Sequence, residues 1–264
     1  MRVVLILLAA IAFGGSAAAQ TPDTVFLEDL TWVEVRDLVA AGTSTVIIPT
    51  GGTEQNGPHM VLGKHNVLVR HKAGEIARRV GRTLVAPVLA YVPEGAVEPP
   101  TGHMRFAGTI TTPQDVFERV LEFAARSFKQ HGFRDIAFLG DSGGNQAGQD
   151  AVARALNKEW AATPVRVHHL SAFYPGPGDE WLKTQGISDT DIGSHASIHD
   201  TASLMVLNPG MLRLDKLAPG RNGDGSGVVG NPARSTPELG RQILERQIEA
   251  AAAQLRNLRE SPPR

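Results

Sequence analysis

The chain has 264 residues, a formal net charge of -1 and 42% hydrophobic residues, enough apolar material for the full core of one α/β domain. Its near-balanced charge leaves no electrostatic footprint for nucleic acid as a partner. It has no cysteine, which excludes disulfides, thiolate zinc sites and cysteine nucleophiles together.

In chain order, the first feature is MRVVLILLAAIAFGGSAAAQ. Arg2 supplies a positive start, residues 3–13 an apolar run too short to span a bilayer comfortably, and Ala17, Ala18 and Ala19 a small-residue cleavage site. The expectation is a signal peptide over 1–19 and a mature single domain over 20–264, exported, periplasmic or secreted, and free of the membrane after cleavage. TSTVIIPTGG (43–52) reads as a buried strand running into a loop. NVLVRHKAGEIARRVG (66–81) has helical spacing, with Val67, Ile76 and Val80 on the apolar side and Gly81 as a stop. TLVAPVLAYV (83–92) reads as a second strand. A Pro/Gly-rich stretch over 93–109 follows, too long for a mere connector and so a candidate site loop.

TTPQDVFERVLEFAARSFKQHG (111–132) predicts an amphipathic helix with Thr112 as N-cap and Pro113 in its first position. FRDIAFLG (133–140) is a third strand, residues 145–161 a helix, and VRVHHLSAF (165–173) a fourth strand. Helices are expected again over 195–210 and from Thr236 to the C-terminal region. Strands alternating with helices predict a mostly parallel sheet covered on both faces, with ligands at the carboxyl ends of the strands.

Two stretches there carry candidate chemistry. GDSGG (140–144) fits the surroundings of a trypsin-like serine and also the G-x-S-x-G elbow of α/β-hydrolases. The alternation of strands and helices excludes the two-barrel protease. The elbow reading needs an acid such as Asp179, Asp189 or Asp191 and then His195 or His199; against it stands a simple glycine-rich turn. The loop GGTEQNGPHMVLGKHN (51–66) packs Glu54, His59 and His65 after a buried strand. That density fits a metal or acid–base site, or a solvated loop in which Asn66 caps the next helix. His71, His131, His168 and His169 are expected to be structural.

Five segments, in order, resemble the creatininase family of metal-dependent amidohydrolases: PTGGTEQNGPHMVLGKH, FAGTITT, HGFRDIAFLGDSGGN, HASIHDTAS and GVVGNPARSTPELGRQIL. The resemblance covers residues 43–244 and implies a three-layer α/β/α domain, a small-molecule substrate, a homo-oligomer, and hydrolysis of a non-peptide, often cyclic, amide C–N bond. It implies Glu54, His65 and Asp200 as ligands of a divalent cation, Zn or Mn, and His195 as the group for proton transfer.

Asn56 and Ser142 stand where the family usually has histidine ligands, and His65 where it has an aspartate able to bridge two metals, so one ion is expected rather than two. Asp141 is an added carboxylate beside Ser142, and His59 falls behind the ligands. His103, Arg105 and Glu94 would line the substrate entrance, with Arg105 placed to pair a substrate carboxylate. A binding protein or pseudoenzyme of this fold, and a serine hydrolase using Ser142, are the alternative readings.

Overall fold

The computed structural model describes residues 23–174 and 176–261; the expected signal peptide lies outside them. Four parallel strands, β1 (Thr45–Thr50), β2 (Thr83–Val85), β3 (Asp135–Gly140) and β4 (Arg166–His169), stand in the order β2-β1-β3-β4. Every residue of β1 is buried, as expected of a central strand covered on both faces.

Side chains alternate across the sheet. Val46, Ile48, Ile136 and Phe138 pack against α1 (Trp32–Ala40), α3 (Gln114–Gln130) and α4 (Gly143–Glu159). Ile47, Ala137 and Leu139 pack on the opposite face against α2 (Lys64–Val80) and α8 (Pro237–Glu260). These are the expected three layers. Three shorter helices, α5 (Pro177–Thr184), α6 (Asp189–Ile192) and α7 (Ile198–Leu207), join α8 in a lesser core around Leu182, Ile198 and Ile243.

Several boundaries differ from expectation. The second strand keeps three residues; beyond it only an isolated bridge, Thr50 to Leu89, continues the pairing. The cap of α3 is Pro113 rather than Thr112. The largest difference is α2, which begins at Lys64, so Asn66 is inside the helix and cannot cap it. The Asn66 Oδ1 instead accepts from the Gly52 N–H at 3.1 Å, tying the helix to the loop after β1. The chain leaves β1 toward β2 on one side and returns as β3 on the other, so the carboxyl ends of β1 and β3 form the topological switch point, where open α/β sheets bind ligands.

Candidate active site

The loop after β1 carries Glu54 into the crevice, and the turn after β3 carries Asp141 beside it. Both are buried, at 1% and 4% exposure. Between them stands His65 in the first turn of α2. Its Nε2 lies 2.8 Å from the Glu54 Oε1 and its Nδ1 2.9 Å from the Asp141 Oδ2. A carboxylate can only accept, so both ring nitrogens donate and the ring is an imidazolium. Burial and the Lys64 charge push its pKa down, but Glu54 and Asp141 outweigh them and raise it.

Two lysines complete the cluster. The Lys64 Nζ donates to the Asp200 Oδ2 and lies 3.9 Å from the Glu54 Oε1. The Lys72 Nζ, two turns along α2, donates to the Asp141 Oδ1 at 2.7 Å and sits 4.9 Å from the Phe173 ring centre. Both side chains are essentially inaccessible. Burial disfavours each of the charged carboxylates, yet the facing cations hold Asp141, Asp200 and Glu54 below their usual range. Three cations on one helix therefore face three carboxylates. Lys64 and His65 do so in the first turn of α2, where the helix dipole opposes positive charge; the carboxylates hold them there.

At the mouth, His103 and His195 lie over Glu54 with ring centres 4.4 Å apart. The His103 Nε2 is 3.3 Å from the Glu54 Oε2, and the His195 Nδ1 is 3.7 Å from the Oε1. One ligand atom from each of these three residues falls within 4.8 Å of the others. Burial drives both imidazoles down, His195 to about 4, so both are neutral at pH 7. Ala196, next to His195, holds a left-handed φ of 50° with its N–H donating to the Asp200 Oδ2 at 3.0 Å. Such conformations persist where the surroundings over-determine them.

Glu94 enters from the Pro/Gly-rich loop, which folds over the mouth through the His103 N–H to Glu94 carbonyl bond. Only glycine fits at position 52, where a Cβ would come within 2.5 Å of the Glu94 Oε1. Burial, then the neighbouring Glu54, pushes the Glu94 carboxyl up to about 10. Between the free value near 4.5 and that raised one, the folded chain holds a proton that the unfolded chain releases, so stability falls with pH by about 1.4 kcal/mol per unit. Glu94→Gln, which keeps a neutral side chain, is expected to lose that slope: urea unfolding from pH 5.5 to 8.5 should separate the two proteins increasingly, with the variant the more stable. Parallel curves would sink this assignment.

The remaining predicted residues have other places. The Asn56 amide donates to the carbonyls of Glu54 and Val61, at 2.9 and 3.1 Å, and braces its turn. The His59 Nε2 meets the Thr201 Oγ1 at 3.2 Å. Arg105 is exposed, donates to the Pro100 carbonyl and does not line the cavity, so the expected role at the entrance finds no contact. Ser142 lines the cavity as the residue before α4, but its side chain makes no capping bond, and among the described residues no histidine or carboxylate hydrogen-bonds its hydroxyl. The elbow reading lacks its base. His168 and His169 are structural, bonded to Asp135 and Gln146. Lys64, Lys72, Tyr174 and Asp179 belong to the site or its walls without having been expected there.

The family profile for creatininase, described as creatinine amidohydrolase, matches residues 28–255. The chain belongs to the creatininase family. The creatinine amidohydrolase of Pseudomonas putida is 26% identical over 263 residues, covering 91% of this chain and 98% of that protein. A mycofactocin precursor peptide peptidase of Mycolicibacterium smegmatis is 24% identical, over 80% and 84%. A solved manganese creatininase superposes with a TM-score of 0.75 at 22% identity, covering 90% of this chain and all of that one.

The ligand positions that the creatininase resemblance implies can be tested against this site. Glu54 and His65 are adjacent, but both His65 nitrogens are engaged as donors, leaving no lone pair for a metal. Asp200 is reached only through Lys64. Glu54, His65 and Asp200 therefore do not converge on one point in this arrangement: Lys64 stands between Glu54 and Asp200, and His65 between Glu54 and Asp141. Glu54, His103 and His195 fit better: two imidazoles and a carboxylate are the donor set of catalytic zinc sites that keep a fourth position open. The His195 Nε2 lies 2.9 Å from the Gln55 carbonyl, which fixes N–H there and leaves the Nδ1 lone pair toward Glu54. The His103 Nδ1 faces the Gln55 Nε2 at 3.0 Å, and the Gly57 N–H holds the Gln55 Oε1. Loading His103 through Nε2 requires a proton at Nδ1, hence the Gln55 amide turned to offer its oxygen, which gives up the Gly57 N–H bond.

Proposed function

We propose that this creatininase-family chain is an exported hydrolase that cleaves a non-peptide amide C–N bond of a small molecule, with one divalent cation, Zn or Mn, held by Glu54, His103 and His195. The observation that carries this reading is the convergence of those three residues at the wall of a cavity of about 530 Å³ at the sheet's switch point. That volume suits a small ligand. A bound ion would supply Lewis-acid polarisation of the carbonyl and a more acidic water.

The chain's own residues do the rest. Glu94, whose carboxyl is pushed up to about 10 by burial and by Glu54, lines the cavity and can give its proton to the leaving nitrogen. Gly143 and Gly144 also line the cavity, in the first turn of α4, where backbone N–H groups have no partner within the helix and can serve as donors to a developing oxyanion. Gln55 orients both histidines.

The test is a hydrolysis screen of purified chain with added Zn²⁺ or Mn²⁺ against creatinine, lactams and open amides, beside a chelated control. Turnover that depends on the ion and disappears in His103→Ala together with the bound metal is expected. Turnover indifferent to chelation would overturn the metal assignment. The neutralised ion cluster favours a second reading, a creatininase-fold binding protein; ligand-dependent thermal shifts with no turnover on any amide would select it. Export is checked by intact mass of the protein recovered outside the cytoplasm, which should begin at Gln20.

A further inference from the structure

We propose that the Lys64 ammonium is a built-in cation, occupying the place between Glu54 and Asp200 where the creatininase ligand pattern would seat a metal ion. The side chain is 1% exposed, contacts the Asp200 Oδ2 and lies 3.9 Å from the Glu54 Oε1. The two carboxylates thus converge on one ammonium nitrogen. Lys72 repeats the device one layer deeper, where its Nζ neutralises Asp141 at 2.7 Å with no solvent exposure.

Charge accounting supports the assignment. Glu54, Asp141 and Asp200 bring three negative charges; Lys64, Lys72 and the doubly donating His65 bring three positive ones. The cluster is closed without a metal, and a divalent ion entering between Glu54 and Asp200 would have to displace a buried ammonium already paired with Asp200. A buried cation is retained only when paired, and each lysine here is paired with a carboxylate. Position adds a second argument. Lys64 is the first residue of α2, where a cation is disfavoured by the helix dipole. Helix propensity does not ask for a lysine there; the two carboxylates do. The same cluster explains how the chain can carry Asn56, His65 and Ser142 at ligand positions and still keep Glu54 and Asp200 buried and ionised.

The inference is independent of any hydrolytic activity, and its test reads metal content and unfolding only. The parent protein is His103→Ala/His195→Ala, which removes the ion expected at the mouth. Equilibrated with Mn²⁺, washed and analysed, this parent should hold none. Adding Lys64→Ala uncovers two facing carboxylates with room between them, and should gain about one equivalent of Mn²⁺, with a higher unfolding temperature in Mn²⁺ than in chelator; Lys64→Arg should gain none. Asp200→Asn should abolish the gain in the Lys64→Ala protein and leave the metal content of the parent unchanged. If the parent already binds Mn²⁺ and Asp200→Asn removes it, the ion shares the place with Lys64 and the inference falls. It falls equally if folded Lys64→Ala gains no metal. Should Lys64→Ala fail to fold, the Asp200→Asn comparison in the parent decides alone. Metal lost on making the parent from the native chain bears on the proposed reaction, not on Lys64.

Discussion

Lys72→Met should lower the thermal midpoint by about 10 °C or more. The side chain is wholly buried, and its ammonium donates to an Asp141 that is 4% exposed. Methionine fills nearly the same volume, so little packing is lost beside Phe173. What remains is a buried carboxylate that has lost one of its two cations. Breaking a buried pair from one side costs about 3–5 kcal/mol, and each kcal/mol moves the midpoint of a chain this size by about 2–4 °C. The double variant Lys72→Met/Asp141→Asn removes both charges and still offers His65 an amide oxygen, so it should regain most of the loss. Urea midpoints for the single and double variants form the double-mutant cycle. Independent, additive losses would show that the two groups do not act as a pair.

The fold was legible because its signals are local. The β-branched run at residues 45–48 and the alternation of strand and helix predict a covered parallel sheet, and the structure has one. The second strand was overread: the regular pairing stops after Ile47 and Val85, because the next β1 residue facing β2 is Pro49, which has no N–H to give the ladder. The site was legible only in part. Glu54 and His65 share one loop and its helix, so their closeness follows from the chain itself. His103 and His195 meet over Glu54 from loops far apart in the chain, and no spacing rule foretells that.

Lys72 was hidden for another reason. Leu68, Lys72 and Ile76 form one row at i, i+4, i+8 on α2, all buried. A lysine in a helix usually reads as the solvated face; here its place in the middle of an apolar row was the available sign of a buried charge. Lys64 and His65 were similarly informative as two cations at a helix start, but only once the helix was known to begin at Lys64 rather than two residues later.

His195→Ala is expected to lower kcat/KM on whatever amide the chain turns over by about three orders of magnitude, and to empty the metal site. His195 is placed to give its Nδ1 lone pair to the ion shared with Glu54 and His103. Lewis-acid assistance is worth several kcal/mol, and each 1.36 kcal/mol is a factor of ten in rate. Stability should change little, because His195 borders the ion cluster as a neutral ring: it faces Glu54 at 3.7 Å and touches Gln55 and His103 at the mouth, but carries none of the charges paired with Lys64, Lys72 and His65.

The variant also separates two roles for this histidine. If it only carries a proton, turnover falls while bound Zn²⁺ or Mn²⁺ stays at the wild-type level, and small imidazoles restore rate without restoring affinity for the metal. If it is a ligand, metal content and rate fall together, and raising the free ion concentration recovers both. Metal analysis beside kcat and KM, each measured over a range of free Zn²⁺, distinguishes these outcomes. Retained metal with lost turnover would return His195 to proton transfer and leave Glu54 and His103 as an incomplete ligand pair.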